Sequence, residues 1–166
     1  MEESKQIHNI DPVYDEHSRI LILGSFPSVK SREGQFFYHH PQNRFWKILS
    51  ELTGDYFLTD VEEKRKLLLK NKIAVWDVIK SCTIQGSSDS SIKDVIPNDI
   101  NRILHAAPIE HIFTNGNKSY EMYKKYLKNV TGIEAIKLPS SSPANAAWSL
   151  DKLVKAWKII LETKEI

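Results

Sequence analysis

Residues 19–46 read RILILGSFPSVKSREGQFFYHHPQNRFW, and this stretch decides the fold class. It opens with four consecutive branched aliphatic residues, Ile20–Leu23, a run typical of a strand that is buried on both faces. The run stops at GSFP, residues 24–27, which favours a turn. Strands buried on both faces belong to parallel sheets covered by helices, and such sheets bind ligands at the carboxyl ends of their strands. The stretch therefore predicts an α/β protein with a site directly after this strand.

Three further apolar runs have the same form. They are Ile73–Trp76, which ends at Asp77; His111–Thr114, which ends at Asn115 and Gly116; and Ile133–Leu138, which ends at Pro139 and three serines. Helical spacing of apolar residues predicts helices between and after them, over Asn43–Leu52, Val61–Lys70, Asn98–Ala106, Lys118–Lys128 and about Asn145–Thr163. Alternating strands and helices predict a parallel sheet covered on both faces. Ile84–Ser91, which contains Gly86 and four serines, is predicted to be an irregular surface loop.

Polar residues follow each predicted strand at its carboxyl end. In a parallel sheet these ends lie along one edge, so the sequence predicts a single site there. The loop after the first strand, residues 35–43, is rich in aromatic and amide side chains, which suits a flat polar ring. The alternative is that Gly, Ser, Asn and Asp only form the turns that every strand end needs.

Length and composition favour one ordinary globular domain over residues 1–166, with residues 1–17 at its periphery. A net charge of +2 neither identifies nor excludes a nucleic-acid-binding protein. The single cysteine, Cys82, excludes an intramolecular disulfide and a cysteine-rich metal cluster. The first residues lack a signal-like apolar segment, and no apolar run approaches the roughly 20 residues that span a bilayer. We expect a cytoplasmic, non-secreted protein.

Two polar residues in the predicted site each have two interpretations. Asn43 either caps the following helix or holds a water or a substrate edge with its amide. Asp77 either caps a turn or accepts a hydrogen bond from a ring N–H, because an ionised carboxylate only accepts. The sequence contains no nucleophile–base pair, P-loop or dinucleotide fingerprint. The adjacent His39 and His40 make a poor metal site, so we expect no metal and no cofactor.

Six blocks together resemble a known family. They are GSFPS (24–28), QFFYHHPQNRFWKIL (35–49), VWDVIKSC (75–82) with GSSDSSI (86–92), FTNG (113–116) and LPSSSPANAAW (138–148). With these blocks in this order, the chain resembles the uracil-DNA glycosylase superfamily, and most closely its branch of hypoxanthine-DNA (deoxyinosine) glycosylases, called family 6. The resemblance implies a three-layer α/β/α sandwich with a central four-stranded parallel sheet.

The resemblance also implies an activity and a set of residues. It implies a monofunctional DNA glycosylase that flips a deaminated base, first of all hypoxanthine, out of DNA and hydrolyses its N-glycosidic bond with a water positioned by Asn43. The implied base-binding residues are Gly24, Ser25, Phe26, Tyr38, Asp77 and Asn115, with the Tyr38 ring stacking on the base. The implied DNA contacts are Ser140, Ser141, Ser142, Pro143 and Asn145.

The chain departs from the superfamily pattern at two positions. Phe26 stands where most families have a water-activating Asp or Asn, and Leu138 stands where a histidine is frequent. These departures leave uracil or mismatch-specific excision as an alternative, and a non-catalytic nucleic-acid-binding module or a hydrolase of free nucleosides as others. The expected partner is double-stranded or single-stranded DNA that contains a damaged base, bound by a monomer without a membrane.

Overall fold

The computed structural model describes residues 4–56, 58–85 and 89–162. Seven strands lie within these ranges: β1 (Ser4–Ile7), β2 (Ile20–Gly24), β3 (Ile73–Asp77), β4 (Ile79–Ile84), β5 (Lys93–Pro97), β6 (His111–Asn115) and β7 (Ala135–Leu138). Eight helices accompany them: α1 (Val29–Gly34), α2 (Phe45–Thr53), α3 (Val61–Lys70), α4 (Asn101–Ala106), α5 (Asn117–Tyr126), α6 (Lys128–Thr131), α7 (Leu150–Trp157) and α8 (Ile159–Glu162).

Four of the strands form a parallel sheet in the order β3-β2-β6-β7, which confirms the predicted central sheet. Gly24 pairs with Asp77, and Asn115 pairs with Leu138, so the carboxyl ends of the strands are level with one another. Every residue of β2 and β3 is buried, as expected for strands covered on both faces. Helix α3 packs on β3, α5 packs on β6 and β7, and α2 packs on α7.

Strand β7 begins at Ala135, two residues later than predicted. The Ile133 carbonyl accepts a hydrogen bond from the Tyr123 hydroxyl at 2.6 Å, and the Ile133 N–H donates to the Thr131 hydroxyl at 3.2 Å. These bonds take up the backbone groups of Ile133, which therefore does not join the ladder. Apolar content alone does not reveal such local competition for the backbone.

Three predicted helices start later than their sequence pattern suggests, the first being α2, which begins at Phe45 and not at Asn43. Helix α4 begins at Asn101, because the Asn98 amide donates to the carbonyls of Asp77 and Ile79 and ties its own backbone to the strands. Helix α7 begins at Leu150, where the Ser149 hydroxyl accepts from the Lys152 N–H as an N-cap. The predicted end at Thr163 lies outside the described residues.

A second sheet, antiparallel and in the order β1-β4-β5, was not predicted. Buried and exposed residues do not alternate along its strands: Ser81 and Cys82 in β4 are consecutive and both buried, and β5 is mostly exposed. The predicted loop Ile84–Ser91 is therefore only partly correct, since Ile84 ends β4 and Asp89–Ser91 form a 3₁₀ turn, while residues 86–88 lie outside the described ranges.

The amino-terminal segment is not peripheral over its described part, contrary to the prediction. Strand β1 pairs with β4, and Val13 exchanges two backbone hydrogen bonds with Val75, each 3.0 Å long. Ile10 and Val13 are buried in the main hydrophobic core. The apolar residues Ile7, Ile10, Val13 and Tyr14 lie mostly three positions apart, which is not the alternation that identifies a strand, so the sequence did not reveal this packing.

No helix in the described ranges is long and apolar enough to cross a bilayer.

Candidate active site

A cavity of about 170 Å³ opens at the carboxyl ends of β2, β3 and β6 and beside the segment that follows β7. A cavity of about 150 Å³ accepts a benzene ring, so this volume suits one heterocyclic base rather than a whole nucleotide. Ten of the twelve predicted site residues line it: Gly24, Ser25, Phe26, Tyr38, Asn43, Asp77, Asn115, Ser140, Ser141 and Ser142. Pro143 and Asn145 do not.

The Asp77 carboxylate lies at one wall of this cavity, with its side chain 5% exposed. Its Oδ2 atom is 2.8 Å from Nε2 of His8, which is also buried. The Asp77 backbone carbonyl accepts from the Asn98 amide at 2.9 Å. The carboxylate therefore has a fixed partner on one oxygen, while its Oδ1 atom lies beside Gly24.

The hydroxyl of Tyr38 lies near the Asp77 carboxylate. This hydroxyl is buried and has no hydrogen-bond partner among the described residues. Burial raises the pKa of Tyr38, and the neighbouring Asp77 charge raises the pKa further, against a smaller opposing effect of the Asn115 amide. The hydroxyl thus remains a proton donor at every physiological pH.

The Tyr38 ring is held in place by packing and by an unusual backbone conformation. It stacks on Phe45 with ring centroids 4.0 Å apart, and its φ is 52°, in the left-handed region that non-glycine residues rarely adopt. One face of the ring is therefore covered, and only the opposite face is left for the predicted stacking on a base. That stacking stays a prediction.

Gly24 forms part of the cavity floor because it has no side chain. A β-carbon at this position would overlap Oδ1 of Asp77 and would lie 3.0 Å from the Tyr38 hydroxyl oxygen. Glycine thus allows an acceptor and a donor to approach the same point of the cavity.

Asn43 lies at the start of α2 and is linked to two other polar side chains. Its Oδ1 atom accepts from the Phe45 N–H at 3.0 Å and from the Ser141 hydroxyl at 2.8 Å. The Ser141 hydroxyl accepts in turn from the Asn115 amide at 2.9 Å, and the Ser141 N–H donates to Asn115 Oδ1 at 3.0 Å. Because a backbone N–H only donates, the Asn43 oxygen faces Phe45 and its NH₂ group is the end left for a ligand.

The predicted N-cap role of Asn43 is wrong, because Arg44 occupies the N-cap position of α2 and no side chain caps that helix. Asn43 instead accepts from the Phe45 N–H two residues on, in a turn that leads into the helix, and it also lines the cavity. Ser141 is fully buried, so its side chain takes part in the hydrogen bonds between Asn43 and Asn115 and does not make the predicted contact with DNA.

Arg44 fixes the segment that follows β7. Its guanidinium donates to the carbonyls of Ser141, Ser142, Asn145 and Trp148. The Arg44 N–H also donates to the Ser141 carbonyl, at 3.0 Å. One side chain on α2 thereby holds residues 141–148 in a single conformation, which places Ser141 beside Asn43.

Phe26 also lines the cavity and is 9% exposed. The His8 ring meets it edge-on, with centroids 6.0 Å apart, and the Arg32 guanidinium lies 5.4 Å from its centroid. The side chain offers no hydrogen-bonding atom, so it contributes shape and an apolar surface to the cavity.

An open groove adjoins the cavity and shares Ser25, Asn115, Ser140 and Ser142 with it. Its other lining residues include Lys118, Lys137, Asn145 and Trp148. The groove joins positive charge to hydroxyl and amide groups, a combination that suits a phosphate backbone. Pro143 lines neither space.

The contacts of His8 and Arg44 with the site were not predicted from the sequence, and neither were four residues that line the cavity, Pro27, Ser28, Ser31 and Phe37. Arg44 belongs to a block already quoted for the family resemblance, so a signal for it existed. His8 is an isolated histidine, and its partner Asp77 is 69 positions away. Among the described residues no cluster of three or more His, Cys, Asp or Glu is placed to hold a metal ion.

Comparison with known proteins agrees with this geometry. The model of the uracil DNA glycosylase superfamily matches residues 12–161. The chain is 40% identical over 143 residues to a hypoxanthine DNA glycosylase of Methanosarcina acetivorans, covering 84% of this chain and 89% of that protein. It is 38% identical over 136 residues to the hypoxanthine DNA glycosylase of Methanosarcina barkeri, covering 81% and 85%.

A solved structure is similar as well. The solution NMR structure of a protein from Methanosarcina acetivorans, named as a candidate uracil DNA glycosylase, superposes with a TM-score of 0.80 at 35% identity, covering 96% of this chain and 98% of that chain. This likeness confirms the predicted three-layer α/β/α class with a central parallel sheet. The chain belongs to the uracil DNA glycosylase superfamily.

Proposed function

We propose that this DNA glycosylase removes a deaminated base from DNA, and that its principal substrate base is hypoxanthine. The observation that supports this proposal is the pair formed by Asp77 Oδ1 and the Tyr38 hydroxyl, an acceptor and a donor on the wall of a cavity sized for one base. The similarity to two proteins named hypoxanthine DNA glycosylase supports it independently.

The pair fits the edge that deamination creates. Hypoxanthine carries a proton on N1 and a carbonyl oxygen at C6, whereas adenine has a lone pair on N1 and an amino group at C6. The Asp77 carboxylate accepts from the N1–H, and the Tyr38 hydroxyl donates to the carbonyl oxygen. This contact lies in the plane of the base, so in this proposal it replaces the predicted stacking of the Tyr38 ring. In the same position adenine would bring the N1 lone pair against the carboxylate, and the Tyr38 hydroxyl could only accept from the amino group, which leaves its own proton unpaired and disfavours the undamaged base.

Asn43 is the catalytic residue of this proposal. In the hydrolysis, the bond between C1′ and the base nitrogen breaks, the oxygen of a water bonds to C1′, and one water proton passes to the solvent, from which the departed base takes up a proton. The electron pair of the broken bond stays on the base. Asn43 lines the cavity and its oxygen is already bonded, so its NH₂ group is the end suited to hydrogen-bond the departing base as negative charge develops on it. Its oxygen already accepts two hydrogen bonds, so a water would be oriented through the NH₂ end.

DNA is the partner, as membership in the superfamily implies. We infer that the groove beside the cavity receives the phosphate backbone, with Ser140, Ser142 and Asn145 as contacts, and that the chain acts as a monomeric single domain. Both double-stranded and single-stranded DNA are candidate substrates, because flipping is easiest where a base is mispaired or unpaired.

Uracil is the second candidate base. It has the same order of N–H and carbonyl groups at N3 and C4, so Asp77 and Tyr38 would match its edge too. The superfamily to which the chain belongs also favours it.

A lesion panel tests these alternatives. Oligonucleotides carrying one deoxyinosine or one deoxyuridine, in single strands and opposite each normal base, are incubated with the protein and then cleaved with alkali at abasic sites. Cleavage at deoxyinosine well above deoxyuridine supports the proposal, and the reverse order supports uracil. Release of neither base, with salt-dependent binding retained, would indicate a non-catalytic module. Release of hypoxanthine from free deoxyinosine without DNA would indicate a nucleoside hydrolase.

A further inference from the structure

A histidine of the amino-terminal segment reaches the wall of the base cavity. His8 follows β1, and its N–H donates to the Lys80 carbonyl at 2.7 Å. Five residues later Val13 is bonded to Val75, so the backbone around His8 is tied to both β4 and β3. The His8 side chain is 2% exposed, and its ring lies about 6 Å from those of Phe26, Phe37 and Trp76.

The hydrogen bonds of His8 define its tautomer. The Ile10 N–H donates to Nδ1 of His8 at 3.2 Å, and a backbone N–H cannot accept. Nδ1 is therefore the unprotonated nitrogen, and Nε2 carries the proton. Nε2 lies 2.8 Å from Asp77 Oδ2, so the imidazole donates to the carboxylate.

The Nε2–H group of His8 determines which oxygen of Asp77 can accept a hydrogen bond from a base. It is bonded to Oδ2, so Oδ1, which lies beside Gly24, is the oxygen left to accept. Without this donor the Asp77 carboxylate is free to rotate, and Oδ1 is no longer held beside Gly24.

We propose that His8 is a positioning residue for base selection: its Nε2–H bond to Oδ2 holds the Asp77 carboxylate with Oδ1 turned toward the base, so that the cavity selects bases with a ring N–H. This role rests on the proposed function, in which Asp77 Oδ1 accepts from the base. His8 does not touch the base itself.

Two variants separate the hydrogen bond from the packing of the ring. His8→Phe keeps an aromatic ring among three others but removes the N–H donor. His8→Gln keeps an N–H donor on a shorter, flexible side chain. Single-turnover excision is measured for both on oligonucleotides that carry deoxyinosine or deoxynebularine, a purine with an unprotonated N1 and no carbonyl.

The expected result is a loss confined to the lesion that has the N–H. His8→Phe lowers deoxyinosine excision by about tenfold to a hundredfold, in line with loss of a hydrogen bond to a charged group. Deoxynebularine excision changes by less than about threefold, because that base gives Asp77 nothing to accept. His8→Gln recovers most of the deoxyinosine rate.

Equal losses on both substrates, together with a lower melting temperature for both variants, would show that His8 is only structural and would overturn the proposal. Unchanged deoxyinosine excision by His8→Phe would overturn it as well. A separate check uses ¹⁵N NMR of the imidazole in the wild-type protein, where a protonated Nε2 and an unprotonated Nδ1 are expected; the opposite tautomer contradicts the inference whatever the activity.

Asp77→Asn distinguishes this inference from the proposed function. If Asp77→Asn excises hypoxanthine as fast as the wild type, the base-reading role of Asp77 fails, and the role of His8 fails with it. If Asp77→Asn is impaired and His8→Phe is not, the proposed function stands and only the role of His8 is overturned. The wild type could also release uracil but not hypoxanthine, with uracil excision lowered by His8→Phe. That result would support the role of His8 and overturn hypoxanthine as the principal substrate base.

Discussion

Asn43 is the catalytic residue that we propose, and the two ends of its amide have different contacts. The oxygen accepts from the Phe45 N–H and from the Ser141 hydroxyl, while the NH₂ group is left for a ligand. Two substitutions can therefore separate structure from chemistry at one position.

We expect Asn43→Asp to keep the turn before α2, since a carboxylate accepts from the Phe45 N–H, and to lose the donor. Excision should fall by about 10²–10³-fold, as for loss of one donor to a developing negative charge, while the urea midpoint stays close to that of the wild type. Asn43→Ala should lose excision to a similar extent and also about 1 kcal/mol of stability, because it removes the acceptor of the Phe45 and Ser141 hydrogen bonds. Excision retained by Asn43→Asp would contradict the assigned role of the NH₂ group.

The Tyr38 hydroxyl gives a second prediction. Tyr38→Phe keeps the stacking on Phe45 and removes the donor, so deoxyinosine excision should fall by about tenfold, the worth of one neutral hydrogen bond.

The same substitution should change the dependence of stability on pH. The pKa of Tyr38 is raised in the folded protein above its ordinary value of 10.0, so the unfolded chain releases this proton first. The wild type should therefore lose stability as pH rises above about 10. Urea unfolding of both proteins at pH 9 and at alkaline pH measures this, and Tyr38→Phe should lose less. Equal losses would show that Tyr38 ionises normally.

Among the structural elements, the central strands could be predicted and the antiparallel sheet could not. A strand buried on both faces reads as a short, unbroken aliphatic run that ends at turn residues, and Ile20–Leu23 has this form. In strand β4 the consecutive residues Ser81 and Cys82 are both buried, and β5 is mostly exposed. Neither strand therefore has the alternation of apolar and polar residues that identifies a half-buried strand.

The cavity-lining residues were predictable for a related reason. Parallel strands bring their carboxyl ends to one edge, so residues after those strands had to converge once the strands were recognised. The pairing of His8 with Asp77 depends on how β1 docks on β4, and nothing local in the sequence specifies that docking.

The contact between α2 and residues 141–148 depends on Arg44. Lysine cannot reproduce its planar fork of donors, so both Arg44→Lys and Arg44→Ala should destabilise the protein, Arg44→Ala by about 2–3 kcal/mol. Urea unfolding measures the loss. Lys66→Ala is the matched control, because its ion pair with Glu63 is 3.7 Å long and exposed, and should change stability by less than about 0.5 kcal/mol. Comparable effects of Arg44→Ala and Lys66→Ala would contradict the importance of these contacts.

Over the whole molecule, charge is nearly balanced, at +2, so DNA binding must depend on where the charges lie. We predict that Lys118→Ala combined with Lys137→Ala weakens DNA binding regardless of sequence. It should also lower the slope of log affinity against log salt by about one for each lysine that contacts a phosphate. Lys158→Ala, on an exposed lysine outside the groove, is the control. An unchanged salt slope in the double variant would place the DNA elsewhere.

The polar groups around the base cavity come from five separate parts of the chain, represented by His8, Tyr38, Asp77, Asn115 and Ser141. Parallel strands meet only after long crossovers close, and such distant contacts form slowly. The cavity is therefore one of the last features to form during folding. When the protein is diluted out of urea, helical signal should return first, and excision should return only with the slowest phase, so enzyme activity would report the completion of folding.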